Sequence, residues 1–295
     1  MADHDQRMKT ALREAPLELL ALAAPDWAAL VESAEEWLSN ELYPDPPTGE
    51  RRVIDLLAPL KLRRGERALL HVEVESGDSV EPLRWRMRRY RPYLKSRFGL
   101  PVLSVGVYMS VGLEGIGRDE GRDEFAGELT DLVRWPYLGL PALDGTVYAG
   151  GTNLLGVAMV GLMRVPEAER PRIKAEAMLR VYESGRSDIC RFLFASLIEA
   201  YMDFEDGGPL FKRYNALIRT EKRYETMLKA GLTTYERGQR DMVLKQIEVK
   251  FGPLPETAQR RLNEWPIERV TAAGLALLGE DPTLAKLGLV DEPKA

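Results

Sequence analysis

The order of predicted elements along the chain of 295 residues indicates an α/β fold. Residues 51–62 (RRVIDLLAPLKL) and 68–76 (ALLHVEVES) have the composition of two strands, joined by a polar turn that contains Gly65. A helix follows over LRWRMRRYRPYLKSRF, and PVLSVGVYMSV then has the continuous apolar character of a strand buried on both faces. This succession of strands and helix predicts a central sheet flanked by helices.

The segments on either side are predicted to be mainly helical. PLELLALAA and DWAALVESAEEWL have apolar residues at helical spacing, and three prolines in LYPDPPTGE end this region. The glycine-rich, charged residues 112–126 indicate a surface loop, because their glycines lack the spacing of a nucleotide-binding motif. From residue 152 onward we expect mainly helices.

A small helical unit is predicted at the C-terminus. The segment KQIEVKFGPLP is helical in pattern up to Gly252, which is followed by proline. Two short helices, ETAQRRLNEW and PIERVTAAGLALL, complete the unit. Because so small a unit buries little apolar surface, we expect it to pack on another surface.

Composition and charge limit the classes of protein that the chain can be. No segment approaches the roughly 20 consecutive apolar residues of a membrane span. The N-terminal MADHDQRMKTALRE is too polar for a secretory signal, so a cytoplasmic protein is expected. The single cysteine, Cys190, excludes an internal disulfide or a cysteine zinc cluster and lies in an apolar run, where a buried thiol is expected. The net charge of −5 is unevenly distributed, since residues 1–50 hold 11 acidic and 3 basic side chains.

Two carboxylates lie in the second predicted strand. Because side chains alternate along a strand, Glu73 and Glu75 share one face, about 6.5–7 Å apart. Val72 and Val74 then share the other face. Two ionised carboxylates at that separation repel each other by roughly 2 kcal/mol, and a cation between them reverses the sign. If the hairpin forms, Asp55 in the first strand approaches Glu73 across the ladder.

Three converging acids, without cysteines or a histidine cluster, suit a hard divalent cation: Mg²⁺ above all, with Mn²⁺ as an alternative. The competing interpretation is a solvated strand face, with the valines in a core and the glutamates in water. His71 shares the face of the glutamates and either reaches a phosphate or fills space. A ligand role is not expected for it, because the other histidine, His4, lies in an N-terminal segment expected to lack structure.

The predicted helix after this strand is strongly basic. Residues 81–97 carry seven Lys or Arg side chains against the single acid Glu81. One apolar stripe is formed by Leu83, Met87, Tyr90 and Leu94. The candidate phosphate-binding side chains are Arg84, Arg86, Arg88, Arg89 and Arg91. Arginine binds phosphate groups in a bidentate manner, although a solvated basic face is the alternative. Pro92 is expected to kink or shorten the helix.

Together these segments resemble the PD-(D/E)XK nuclease superfamily. NELYPDPPTGERRVIDLLAPLKL, LLHVEVES and the helix containing RMRRY are similar to its bacterial branch of transposases and recombination-promoting nucleases. KQIEVKFGPLPETAQRRLNEWPIERV resembles a small helical domain that often follows such nucleases. These matches cover roughly residues 35–110 and 235–280, and the helical middle of the chain is similar to the same proteins less distinctively.

The resemblance implies a restriction-endonuclease-like core with a mixed central sheet flanked by helices. On this basis, residues 1–205 are predicted to form the nuclease-like domain. A helical linker is predicted at residues 206–234, and a small α-helical domain at residues 235–295.

The resemblance also implies roles for individual residues. Asp55 corresponds to the motif aspartate of the family and Glu73 to the acid that shares the metal. In the mechanism that we expect, the Val74 backbone carbonyl is a further ligand. Glu41 matches an acid that many members use to bind or orient the metal. Glu75 stands where members usually have Lys, or Gln in this branch, and can instead act as a base or hold a second ion.

The leading functional hypothesis is therefore a Mg²⁺-dependent endodeoxyribonuclease, linked to recombination or mobile elements. DNA is the expected partner, bound largely without sequence preference through the basic helix. The resemblance implies that the products carry 5′-phosphate and 3′-hydroxyl ends. A second hypothesis is a catalytically inactive nuclease-like fold that binds nucleic acid or a protein. A third is a small-molecule phosphohydrolase. Homo-oligomerisation is compatible with each of these three hypotheses.

Overall fold

The computed structural model describes residues 2–38, 41–42, 52–77, 81–225, 227, 240, 243–248, 250–277 and 283–290. The strands are β1 (Val31–Ala34), β2 (Glu41–Leu42), β3 (Arg52–Val53), β4 (Leu56–Leu62), β5 (Arg67–Glu75), β6 (Val102–Tyr108), β7 (Gly115–Phe125) and β8 (Glu128–Gly139). The helices are α1 (Ala2–Glu14), α2 (Pro16–Ala23), α3 (Pro25–Ala28), α4 (Leu83–Phe98), α5 (Gly145–Tyr148), α6 (Leu154–Ala158), α7 (Arg170–Glu183), α8 (Asp188–Tyr201), α9 (Pro209–Thr220), α10 (Glu256–Glu264) and α11 (Ile267–Ala276), and residues 243–248 are also helical. Within these parts of the chain, no helix combines the length and apolarity that a membrane crossing needs.

Six of the strands form one mixed sheet in the order β1-β4-β5-β6-β8-β7. β4 and β5 are an antiparallel hairpin in which Leu56 pairs with Val72. β5 and β6 are parallel and are connected through α4, while β8 is parallel to β6 and antiparallel to β7. β2 and β3 form a separate two-stranded ribbon. The predicted α/β class, with a mixed sheet flanked by helices, is confirmed.

The two faces of β5 have different partners, because side chains alternate along a strand. Leu70, Val72 and Val74 lie in the main apolar cluster, which also contains side chains of α1, α2, α6, α7 and α8. His71 and Glu73 lie on the opposite face and are fully buried. The alternation is as predicted. The solvated-face interpretation requires Glu73 to face water, and its complete burial contradicts that interpretation.

Helix α4 covers this second face through the predicted apolar stripe. Leu83, Met87, Tyr90 and Leu94 are all buried. The helix is not shortened at Pro92 but continues to Phe98, so the lost intrahelical hydrogen bond of proline is outweighed by packing on both sides. It ends at Gly99, which has a φ of 64° and donates its N–H to the Lys95 carbonyl at 3.0 Å.

Residues 31–34 form a strand where the sequence predicts a helix. α3 ends at Ala28, and β1 then pairs antiparallel with β4, with Ala34 opposite Leu60. Without β1 the backbone N–H and C=O groups along this edge of β4 would lack partners. Val31 is also buried in the main apolar cluster. Sheet pairing therefore overrides the helical spacing of DWAALVESAEEWL.

The segment predicted as a surface loop, residues 112–126, contains strand β7. β7 pairs with β8 along its length and forms one edge of the sheet. Asp119 and Gly121 are buried, whereas the neighbouring Arg118 and Arg122 are exposed, which is the period of a strand. The loop prediction is wrong because charged residues and glycines masked this alternation.

The N-terminal residues form α1, although the segment around His4 was expected to lack structure. Met8, Ala11 and Leu12 are fully buried in the main apolar cluster, at the i, i+3, i+4 spacing of one helix face. This packing places Lys9, the residue after Met8, within contact distance of Asp55 beside the sheet.

The described residues from 152 onward are mainly helical, as predicted. Cys190 in α8 is 5% exposed within the main apolar cluster, and burial raises the pKa of its thiol. The predicted packing role of this cysteine is therefore confirmed. The region predicted as a linker, residues 206–234, contains α9.

The C-terminal unit has an apolar cluster of its own. Ile247, Leu262 and Trp265 are at its centre. The first helical segment ends at Gly252, which has a φ of 81° and donates its N–H to the Glu248 carbonyl at 2.8 Å. Residue 235, where this unit was predicted to begin, lies outside the described residues, and the division into three regions stays a prediction.

The packing of α4 on the sheet depends on Gly106 in β6. A Cβ atom at this position would lie 3.1 Å from Leu83 Cδ2 and 3.6 Å from Trp135 Cδ1. We expect Gly106→Val to displace α4 and to lower the free energy of unfolding by about 1–3 kcal/mol, measured by urea denaturation. Since Leu83→Ala removes the obstructing side chain, the double variant should lose less stability than the sum of the single variants. Strict additivity would contradict this packing.

Candidate active site

The β4–β5 hairpin brings together Asp55, Glu73 and Glu75. Asp55 lies in the bend directly before β4, and the pairing of β4 with β5 places it beside Glu73. The Glu73 side chain is fully buried, whereas those of Asp55 and Glu75 are 11% and 14% exposed. Two of the three acids therefore remain accessible from the surface.

The guanidinium of Arg86 lies at the point where these acids meet. Its Nη1 donates to Asp55 Oδ2 at 2.9 Å and to Glu73 Oε2. Its Nη2 donates to Glu75 Oε2 at 2.9 Å and to the Val74 carbonyl at 2.8 Å. Four groups that the sequence analysis assigns to metal binding or catalysis thus contact one cationic side chain.

Helix α4 delivers Arg86 because this residue lies on the sheet-facing side of the helix. Residues 83, 86, 87 and 90 follow the spacing of a single helix face. Arg86 Nε donates to the Glu81 carbonyl at 3.2 Å, and the side chain is 11% exposed. Nearby carboxylates raise the pKa of Arg86 further despite its burial, so it stays charged.

Asp55 is held by partners on three elements. Val74 N–H donates to Asp55 Oδ2 at 2.8 Å, and Lys9 Nζ of α1 lies 2.7 Å from Oδ1. Burial alone would raise the pKa of Asp55, but Lys9, Arg86 and the Val74 N–H outweigh it and hold that pKa below its ordinary value. Asp55 is therefore ionised at neutral pH.

Glu73 is held from within the sheet by a buried hydrogen-bond chain. His71 Nε2 lies 2.9 Å from Glu73 Oε1, and His71 Nδ1 lies 3.1 Å from Ser104 Oγ. If Nε2–H donates to the carboxylate, Nδ1 accepts from the Ser104 hydroxyl, so both ring nitrogens have partners. Complete burial raises the pKa of Glu73, although contacts with His71 and Arg86 oppose the shift. His71 thus orients an acid instead of facing a phosphate.

Three further predicted site residues are Glu41, Arg84 and Arg88. Glu41 pairs within the β2–β3 ribbon, and its side chain is outside the described part of the chain. Arg84 forms a two-point ion pair with Asp119, with Nε–Oδ2 at 3.0 Å and Nη2–Oδ1 at 2.6 Å. Arg88 pairs with Asp123.

Two further arginines of α4 lie near groups of this chain that are not acids. The Arg89 guanidinium lies 4.6 Å from the centre of the Trp85 ring, a cation–π contact. Arg91 Nε lies 3.5 Å from the Val102 carbonyl. Ion pairs with acids of the described parts of the chain are formed by Arg84, Arg86 and Arg88, and Arg86 is the most enclosed of these three.

The donor set has the chemistry of a site for a hard divalent cation. Three carboxylates and a backbone carbonyl are the oxygen ligands that Mg²⁺ prefers. In the described parts of the chain, however, no three His, Cys, Asp or Glu side chains are arranged to hold a metal ion. The four groups surround Arg86 at hydrogen-bond distances, which are longer than the roughly 2.1 Å of a Mg²⁺–oxygen bond.

Comparison with known proteins gives no family for the chain. No protein-family model matches it, and no curated protein or solved structure is significantly similar to it. The function is therefore inferred from the geometry of the site together with the resemblance of short motifs.

The sequence analysis did not identify Lys9, Ser104 or Asp119 as partners of this region. Ser104 lies opposite His71 in the parallel β5–β6 pair, and that register cannot be read from either strand alone. The inward direction of Arg86 does have a sequence signal. It is three residues after Leu83 and four before Tyr90, which places it within the apolar stripe.

Removing Arg86 tests its role as the cation of the cluster. We expect Arg86→Ala to lower the free energy of unfolding by about 3–5 kcal/mol, because it leaves carboxylates buried without a partner. The matched control is Arg88→Ala, which removes the same charge from the same helix but breaks an exposed pair worth about 1 kcal/mol or less. Urea denaturation in the presence of a chelator measures both, and equal losses would contradict the assignment.

Acidification tests the contacts of Asp55. Its pKa is lowered on folding, so its contribution to stability is complete above the ordinary value of 3.8 and is lost as the pH falls through the lower native value. We expect the free energy of unfolding to fall below about pH 4, and to fall less in Asp55→Asn. The raised pKa of Glu73 acts in the opposite direction, and the charge of Asp55 contributes to that shift, so the variant also weakens the opposing effect of Glu73. Parallel pH profiles from urea denaturation would show that Asp55 is not stabilised in this way.

Proposed function

We propose that this chain is a Mg²⁺-dependent endodeoxyribonuclease of the PD-(D/E)XK superfamily, with a restriction-endonuclease-like core and a link to recombination or mobile elements. The observation that carries the proposal is the convergence of Asp55, Glu73, Glu75 and the Val74 carbonyl around one point. The mixed sheet flanked by helices is compatible with that core. Both the superfamily and the finer fold assignment are part of the proposal.

Asp55, Glu73 and the Val74 carbonyl would hold the Mg²⁺ ion, with Mn²⁺ as an alternative. When bound, this ion supplies Lewis-acid chemistry, polarising the scissile phosphate and making an attacking water more acidic. The chain prepares the two acids for this role. Lys9 and the Val74 N–H fix the carboxylate of Asp55, and His71 fixes that of Glu73.

Glu75 would act as the base for the attacking water. It stands at the last position of β5, on the same face as Glu73 and nearer the surface, so water can reach it. A carboxylate can accept a proton but cannot neutralise a phosphate as lysine does. In this proposal Asp55 and Glu73 position the ion, while Glu75 orients the water and takes its proton.

DNA would approach along the outer side of α4. The Arg84 side chain is 58% exposed although it pairs with Asp119, so a phosphate oxygen can exchange with that carboxylate. Arg88, Arg89 and Arg91 extend the same basic helix. Contacts of this kind bind the backbone rather than the bases, which predicts strong salt dependence and little sequence preference.

A second candidate is a catalytically inactive nuclease-like module that binds nucleic acid or a protein. The observation that favours it is the position of Arg86, which already supplies a cation to the acids. Glu75, at the position where the superfamily usually has lysine, also favours the inactive module. In this alternative the acid cluster is a structural element and α4 is the binding surface.

Nicking of supercoiled plasmid separates the two candidates. We expect nicking by wild type in Mg²⁺ or Mn²⁺ but not in EDTA. Asp55→Ala and Glu73→Ala should each reduce the rate on the order of 100-fold or more, because each removes an oxygen ligand. The matched control is Glu66→Gln, which neutralises an exposed acid in the turn between β4 and β5 and should nick at the wild-type rate.

The outcomes lead to distinct conclusions. Absence of metal-dependent nicking, or equal nicking by wild type and both alanine variants, would refute the nuclease. Retained duplex binding without nicking would support the inactive module. Hydrolysis of a small aromatic phosphate ester without plasmid nicking would instead support a small-molecule phosphohydrolase.

A further inference from the structure

We propose that Arg86 is a built-in competitor of the divalent cation: its guanidinium occupies the acid cluster in the metal-free protein and must leave before the ion can bind. The inference rests on the proposed function for the identity of the competing ion. It adds a gate that the superfamily resemblance does not imply, and it gives Arg86 a role other than the nucleic-acid contact that the basic pattern of the helix predicts.

The first support is that Arg86 uses every group of the donor set. Each Nη atom contacts two of the four groups, at 2.8–2.9 Å for the three longer contacts. An ion bound by Asp55, Glu73 and the Val74 carbonyl needs the oxygen lone pairs that now accept from Arg86. The two cations also repel each other at such short range, so they exclude one another by both geometry and charge.

The second support is that the carboxylates require a cation in the metal-free protein. Glu73 is fully buried, and His71 supplies one hydrogen bond to one of its oxygens. A buried carboxylate without a compensating charge is strongly destabilising. Lys9 reaches Asp55, whereas Arg86 contacts all three acids and so compensates the cluster as a whole.

The third support is that Arg86 has a flexible aliphatic stem and can bind a phosphate instead of the carboxylates. A long aliphatic side chain can move its planar head group without moving the helix backbone. Once released, the guanidinium is suited to bidentate contact with a phosphate. Metal entry and a nearby nucleic-acid phosphate therefore favour the same displacement of Arg86, and each alone promotes the opening of the site.

Binding of Mn²⁺ alone to the full-length chain tests the inference without any nuclease assay. Electron paramagnetic resonance titration should show Mn²⁺ bound on the order of 10-fold or more tightly by Arg86→Met than by wild type. Methionine keeps much of the aliphatic stem but removes the cation. Arg88→Met, which removes an equal charge elsewhere on α4, should leave the affinity unchanged. Adding Glu73→Gln to Arg86→Met should abolish the gain, which locates the ion at this cluster.

A second variant covers the case in which Arg86→Met does not fold, as judged by circular dichroism. Arg86→Lys keeps the charge, but one ammonium group cannot reach all four donor groups, so its Mn²⁺ affinity should lie above that of wild type. Wild-type affinity in the folded Arg86 variants would overturn the inference. An equal gain in Arg88→Met would also overturn it, since the effect would then be general electrostatics.

The two proposals fail in different ways. Metal-dependent nicking by wild type, with the same Mn²⁺ affinity in wild type and the Arg86 variants, would leave the nuclease standing and overturn the competition. Tighter Mn²⁺ binding by Arg86→Met, with no nicking by any protein, would support the competition and refute the nuclease.

Discussion

A buried carboxylate needs a compensating charge, and the structure around β5 depends on how Glu73 obtains one. Glu73 has no exposed surface, and its two oxygens are contacted by His71 and Arg86. An uncompensated charge at such a position costs several kcal/mol, a large fraction of the stability of a typical domain. Ser104 in β6 contacts His71, which contacts Glu73, and the packing of α4 on the sheet brings Arg86 to the same carboxylate.

The same requirement determines how α4 lies on the sheet. With Arg86 directed at β5, the helix places Arg84 and Arg88 opposite Asp119 and Asp123 of β7. Three arginines of the basic run, Arg84, Arg86 and Arg88, are therefore matched by acids of this chain. Nucleic acid that binds here must compete with those acids, which lowers the expected affinity. Because the contacts are to phosphates, binding should also weaken as the salt concentration rises.

Local periodicity was sufficient to predict the parts of the site that lie within one element. Alternation in β5 placed the glutamates and His71 on one face, and the apolar stripe of α4 predicted its buried side. Features that depend on distant pairing could not be predicted in this way. β1 is a strand because β4 needs a partner, and Lys9 reaches Asp55 because α1 packs on the main apolar cluster. The apolar stripe of α4 gives a signal for the inward direction of Arg86, but the sequence does not show which anion its guanidinium contacts there.

The most direct test is a pair of crystal structures of the chain, one metal-free and one soaked in Mn²⁺, with anomalous scattering to locate the ion. We expect the guanidinium of Arg86 among Asp55, Glu73 and Glu75 in the metal-free crystal. In the soaked crystal we expect an anomalous peak at those carboxylates, with Arg86 displaced from them. A peak at the carboxylates with Arg86 unmoved, or Arg86 away from them without metal, would contradict the account.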